Sequence, residues 1–467
     1  MKSLLVLLVL AVFSLSAFPQ PGYRIEVKID GLRDTTLMLG YHFGEKKFVA
    51  DTALIDSRGV AVFQRDTLLP GGMYLVILPE RTYFDILLGE NQRFSLSTST
   101  QDLFANLRFV GSPENNQFLE YQKFMGEMQR RMEVLREEMQ AVGDDKVREQ
   151  SVMNQMNNLD RQVNEYWDKI VEKNQGTFLA NLIRSIRPVA IPEFQIPDGT
   201  NNPDSVRWVM SYNFNQRHYL DNIDLADERL LRTPFVQGRV DMYFDRLLLQ
   251  IPDTISKYAT KVIERTRPSP RMFQYMVSHL LNKYQTSNIM GMDAVFVHIA
   301  EQYYLSGLTP WVTPEIIEKI RERVNDLKPN LIGQIAPNVS MWDANGRVVS
   351  LHSVKGEATV VYFWEPTCSH CLKVTPELKK IYDKFRNRGV SVVAVYTQGD
   401  RDAWVEHVAK HELNWINLWD PNRSSNYHKL YDIFSTPVLY VLDRDKRIVA
   451  KRIGVEALER FLEEEIR

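Results

Sequence analysis

Only two cysteines occur in 467 residues, and they stand three positions apart, at Cys368 and Cys371. That scarcity excludes a disulfide-braced framework, because the one bridge the chain can form closes a loop too small to constrain the unfolded state much. Charge of one sign is also missing in excess. The formal net charge is −2, with neither a basic stripe nor an acidic tail to favour nucleic acid or a membrane surface. No repeat of fixed period and no low-complexity tract is present. Beyond the first residues, no apolar run is long enough to span a bilayer.

The first residues differ. Met1-Lys2 precedes an apolar run from Leu4 to Phe13, followed by the small residues Ser14, Ser16 and Ala17. That order is the order of an export signal over 1–17, with cleavage expected near Ala17; the competing assignment is an uncleaved anchor. No cysteine follows the run, so a lipoprotein is not expected. The expectation is a soluble periplasmic protein with no stable membrane insertion once the signal is removed.

A chain of this length exceeds one ordinary core, and its patterning predicts a multidomain α+β protein. From 22 to 111 the apolar residues alternate, as in Ile25-Glu26-Val27-Lys28-Ile29 and Val60-Ala61-Val62-Phe63, between turns such as Asp56-Ser57-Arg58-Gly59 and Pro70-Gly71-Gly72. Short alternating strands with regular turns predict an antiparallel β-sandwich or barrel. Ser112-Pro113 then reads as a helix cap and first turn, opening a helical domain over 112–330. Phe118, Tyr121, Met125, Met128, Met132, Leu135 and Met139 repeat at helical spacing, and Met156, Leu159, Val163, Tyr166 and Ile170 answer them. The break at Gly143-Asp144-Asp145 predicts an antiparallel helical hairpin whose methionines pack helix on helix, in preference to a metal or partner groove. Trp208, Tyr212, Phe214 and Tyr219 are expected in the core rather than on a binding surface. His218 and His298 have no partners at ligand spacing.

Lys328 to Pro337 reads as a linker into a third domain, 334–467. Asn345-Gly346 marks a hairpin, and Thr359 to Trp364 is an apolar strand that runs into Cys368-Ser369-His370-Cys371 at the start of a helix. Amide groups at a helix start stabilise a thiolate at the first sulfur, so the spacing predicts a redox pair. A helix carrying Pro376 and ended by Gly389, the buried-type strand Val390 to Tyr396, a helix Arg401 to His411, the strand Val438 to Leu442, the strand Arg447 to Arg452 and a final helix follow. This succession fits a thioredoxin-like α/β domain.

Gly333-x-x-Ala336-Pro337, Trp364 before the Cys-Ser-His-Cys motif, Pro376 in the helix and Thr436-Pro437 before a strand together resemble the thioredoxin superfamily. Within it they resemble the exported thiol:disulfide oxidoreductases of the cytochrome c maturation, TlpA/ResA-like group, over roughly 334–467. Domain order and the stretch Tyr284 to Asp293 extend the resemblance to members with an N-terminal β domain and a helical middle domain. The resemblance implies Cys368 as nucleophile and Cys371 as resolving thiol, with no cofactor other than their redox-active disulfide. It also implies a cis Pro437 that sets the Thr436 backbone beside the sulfurs for substrate binding, and partners that are protein thiols or disulfides plus an electron-donor protein. A homodimer on the upstream helices is compatible with it. His370 and Trp364 are the candidate tuners of redox poise. Where many relatives place a carboxylate near the resolving thiol, this chain has Tyr362 and Val374, and Glu365 is the nearest acid.

The expected function is therefore exchange of disulfides with proteins, as a reductant by analogy with the group. Two other classes compete: a copper or zinc carrier using Cys368, His370 and Cys371, and a non-catalytic envelope binding protein. No remote ligand set completes a metal site, and none is expected.

Overall fold

The computed structural model describes residues 22–465, so the export signal expected at 1–17 lies outside the described residues. The chain divides into two compact units, one ending at Leu247 and the other beginning at Leu248. The helical stretch is thereby shared between them.

In the first unit, alternation has produced eight strands: β1 (Arg24–Asp30), β2 (Thr35–Phe43), β3 (Lys46–Ile55), β4 (Val60–Gln64), β5 (Gly72–Ile77), β6 (Tyr83–Leu88), β7 (Arg93–Ser99) and β8 (Arg108–Val110). They form two four-stranded sheets, ordered β4-β1-β7-β8 and β3-β2-β5-β6. Ile25 and Val27 of one sheet share a buried cluster with Leu37, Leu39, Phe84 and Ile86 of the other, which makes the domain a sandwich. Pairing is antiparallel except between β1 and β7, which run parallel with Ile25 opposite Phe94. Alternation fixes which face a residue takes but not which strand lies beside it.

Helices α1 (Pro113–Ala141) and α2 (Lys146–Lys173) form the expected antiparallel hairpin. Met128, Leu135, Val152 and Leu159 are its buried seam, with Met132, Met139 and Met156 packed against it. Ser112 occupies the cap position of α1 without capping a main-chain N–H. Its hydroxyl instead accepts from the Asn115 side chain at 2.9 Å, and that side chain also bonds Leu87 of β6 through both its oxygen and its nitrogen. The helix start is thus tied to the sandwich. Helices α3 (Phe178–Ile186), α4 (Pro203–His218) and α5 (Val236–Met242) complete the unit.

The aromatics of α4 correct the sequence expectation, since no residue of this helix is buried. Trp208 is 65% exposed, and its ring stacks on that of Tyr212, one turn along, at 5.4 Å. Trp208 and Tyr212 lie on one side of the helix and Val206, Met210 and Phe214 on the other, so its apolar residues gather into no single core-facing stripe. His218 pairs with Asp221 at 2.7 Å.

The second unit opens with α6 (Pro252–Arg265), α7 (Pro270–Gln285), α8 (Asp293–Ile299) and α9 (Pro314–Leu327). His298 of α8 bonds the Thr260 hydroxyl at 2.8 Å. Then come β9 (Ser340–Trp342), β10 (Val348–Ser350), β11 (Ala358–Trp364), α10 (Ser369–Phe385), β12 (Val390–Tyr396), α11 (Arg401–Lys410), β13 (Ile416–Trp419), α12 (Tyr427–Leu430), β14 (Val438–Asp443), β15 (Ile448–Lys451) and α13 (Val455–Glu465). The strands build one seven-stranded sheet, ordered β10-β9-β13-β12-β11-β14-β15. Central β11 is parallel to β12 and antiparallel to β14. Every residue of β11 is buried. Tyr362 and Trp364 face the cluster that contains Cys371 and Leu378 of α10. Val361 and Phe363 face the opposite cluster with Tyr427 and Tyr431. A strand covered on both faces is a continuous apolar run, and β11 points its C-terminal end at the cysteines.

Candidate active site

The chain leaves β11 at Trp364 and enters α10 at Ser369, with Cys368 as the cap residue between them. The Cys368 sulfur accepts from the main-chain N–H of Cys371 at 3.4 Å. That N–H is one of the four donors a helix start leaves unpaired, so a thiolate here completes the helix. Pro376 lies inside α10 and lacks the N–H that would bond the Leu372 carbonyl.

The two thiols are free and unlike. Cys368 is partly exposed, whereas Cys371 is 1% exposed. Burial raises the Cys368 thiol, but hydrogen bonds from the Cys371 N–H and thiol and from the His370 N–H, together with the nearby Thr436 side chain, outweigh it and hold the group below the ordinary thiol range. Burial pushes Cys371 the other way, to about 12, and the hydrogen bond its thiol gives Cys368 adds to the effect. One sulfur is set to be a nucleophile and the other to stay protonated.

The loop before β14 supplies the opposite wall. Its Thr436–Pro437 peptide is cis, and the Thr436 carbonyl accepts from the Cys368 thiol at 3.4 Å. The Thr436 hydroxyl donates to Glu365 Oε1 at 3.0 Å, and Gln398 donates to the other oxygen of the same carboxylate. Glu365 therefore ties the loop before the cysteines to the loop before Pro437. Beside Thr436 a groove of about 400 Å3 opens, lined by Glu365, Gln398, Arg423, His428 and Phe434, and the Phe434 ring is 78% exposed.

Beneath the cysteines, the Tyr362 hydroxyl sits 2.9 Å from Thr375 Oγ1, which donates to the Cys371 carbonyl at 2.8 Å. Burial holds the Tyr362 hydroxyl far above its ordinary range, so no phenolate base stands beneath Cys371. Trp364 is fully buried, with its ring 5.2 Å from that of His407. The His370 side chain is exposed, and the hydrogen bond by which this residue reaches Cys368 comes from its main chain. Among the described residues, no group of three or more His, Cys, Asp or Glu is placed to hold a metal ion. Cys368, His370 and Cys371 do not form one.

The structure thus gathers Cys368, Cys371, Thr436 and Pro437, with the His370 main chain beside them. The positions of Glu365, Gln398 and Thr375 around them were not foreseen. For Glu365 the available signal was an acid three residues before the nucleophile.

Residues 332–451 match the AhpC/TSA family. Over 130 residues the chain is 27% identical to the thiol-disulfide oxidoreductase ResA of Bacillus cereus, covering 28% of this chain and 74% of that one. In its C-terminal domain the chain is a thioredoxin-like thiol:disulfide oxidoreductase similar to ResA. Two solved structures are also similar to it. A domain of a possible thiol-disulfide isomerase from Cytophaga hutchinsonii is 37% identical, covering 29% of this oxidoreductase and 92% of that chain, with a TM-score of 0.28. A thioredoxin-like protein from Bacteroides caccae is 22% identical, covering 60% and 99%, with a TM-score of 0.47. The upstream parts of the oxidoreductase match two domains of unknown function, DUF4369 over 23–118 and DUF5106 over 148–330.

Proposed function

We propose that the protein is an exported reductant of protein disulfides that works through Cys368 and Cys371. The observation that carries this is the contrast between the two sulfurs: an accessible one at a helix start with a lowered pKa, and a buried one held as thiol. The Cys368 thiolate attacks one sulfur of a partner disulfide. The partner S–S bond breaks, a mixed disulfide forms, and the departing partner thiolate takes up a proton. Cys371 then gives up its proton and attacks Cys368, closing the Cys368–Cys371 disulfide and expelling the second partner thiolate, which is protonated in turn. Two electrons and two protons have passed to the partner. A separate electron-donor protein returns the enzyme to the dithiol.

Thr436 and Pro437 form the seat for the partner chain, whose backbone pairs with Thr436 beside the nucleophile. His370 tunes the nucleophile chiefly through its N–H, and Trp364 acts by fixing the end of β11. Reduction is preferred to oxidation by analogy with the ResA-type oxidoreductases, since one ionising sulfur beside one buried thiol is common to reductants and oxidants and a lowered pKa by itself stabilises the dithiol. The reading of export, and with it of a periplasmic site of action, is supported by the order of residues 1–17.

A redox titration of the protein against glutathione, with Cys368→Ala as control, tests the proposal. The expected result is a two-electron couple lying below about −200 mV, on the reducing side of the known range. A protein that never cycles between dithiol and disulfide would overturn it.

A further inference from the structure

The loop that carries Thr436 begins at Asp432, a carboxylate 1% exposed on a residue with φ of +54°. Arg323, on α9, grips it with both terminal guanidinium nitrogens, the second at 3.0 Å from Oδ2. The same guanidinium lies over the Phe434 ring, 5.7 Å from its centre. From β15's end, Arg452 reaches the Asp432 carboxylate at 2.6 Å and its carbonyl at 3.0 Å. Asn330, just after α9, donates to the Leu430 carbonyl at 3.1 Å and also receives the buried amine of Lys451, which pairs with Asp293 of α8. Arg323 of α9 and Asn330 just after it thus hold the stretch 430–434, two residues short of the Thr436 carbonyl that meets the nucleophile.

We propose that Arg323 is a positioning residue for polypeptide substrates, acting through Asp432 and Phe434 to hold the Thr436 acceptor in place; this rests on the oxidoreductase function above. A bidentate guanidinium fixes both the distance and the plane of a carboxylate, which an ammonium cannot. Because Arg452 also pairs with Asp432, loss of Arg323 removes one tether without stranding a buried charge, and the fold survives it. The helices before the thioredoxin-like domain thereby set how well a protein chain docks, while leaving the sulfur chemistry alone.

The test compares two disulfides on the full chain: insulin under turnover with dithiothreitol supplying electrons, and a small aryl disulfide mixed with pre-reduced protein freed of dithiothreitol, which would reduce it directly. Insulin needs main-chain docking, whereas 5,5′-dithiobis(2-nitrobenzoate) needs only the sulfur. In Arg323→Met, KM for insulin should rise on the order of tenfold, since small misplacements of a docking group are costly. kcat and the rate with the small disulfide should stay at wild-type values. Arg323→Lys should behave as Arg323→Met. Asp432→Asn, which keeps the shape and tolerates the positive φ, should show the same KM rise, and the double variant should show no more than either single one. An unchanged insulin KM or an equal loss on both disulfides would overturn the proposal. Wild-type protein inert toward both disulfides would refute the oxidoreductase activity itself, and the positioning role with it.

Discussion

The Tyr362 hydroxyl and the Thr375 hydroxyl stand 2.9 Å apart in the buried layer under Cys371. Thr375 also donates to the Cys371 carbonyl, so the pair braces the first turn of α10 from below. Tyr362→Phe should destabilise the protein by about 1 kcal/mol, the ordinary worth of one buried hydrogen bond. Urea unfolding measures this. Because Tyr362 stays neutral, the same variant should leave the Cys368 alkylation profile where it was.

His370 reaches Cys368 through its main-chain N–H. His370→Pro removes that donor at a helix position where proline fits, while His370→Ala keeps it. The proline variant should raise the Cys368 pKa and make the couple more reducing, and the alanine variant should move both by less. Thiolate absorbance at 240 nm against pH separates them, and equal shifts in the two would return the effect to the imidazole.

The unlike sulfurs predict an alkylation pattern. Iodoacetamide should modify Cys368 with a midpoint below the ordinary thiol value of about 8.5. Cys371, pushed to about 12 by burial, should remain unmodified across neutral pH. In Cys371→Ala, the mixed disulfide with a protein substrate should accumulate for want of a resolving thiol, visible on a non-reducing gel.

Asp85, on β6 of the sandwich, is pushed up to about 6 by burial, against the pull of Lys47. A carboxyl whose folded pKa exceeds its unfolded value of about 3.9 contributes stability below that value and loses it as pH rises through the folded pKa. The loss here falls between about pH 4 and pH 6. Asp85→Asn should therefore raise the Tm of the β domain by roughly 2–4 °C at pH 7 and change it little below pH 4. Thermal unfolding at the two pH values decides it.

The parts of the fold that sequence disclosed are those where one period dominates. β11 and β12 are buried on both faces and read as apolar runs, and the α1–α2 seam repeats at helical spacing. β13 escaped notice: it has four residues, including the polar Asn417, and shows neither a run nor an alternation. The aromatics of α4 misled because residue type alone argues for burial, while burial requires that such residues share a face. At the site, the cysteines and Pro437 were legible from a local motif. The role of Glu365 was not, because its partners Gln398 and Thr436 lie 33 and 71 residues away in the chain.

The contact between Cys368 and Thr436 has one more outcome. While Cys368 is a thiol, its hydrogen occupies the Thr436 carbonyl. A thiolate has no hydrogen to give, so ionisation arms the sulfur and uncaps that carbonyl in the same event. The resting enzyme is in this sense its own competitor, blocking its docking acceptor until the nucleophile is ready.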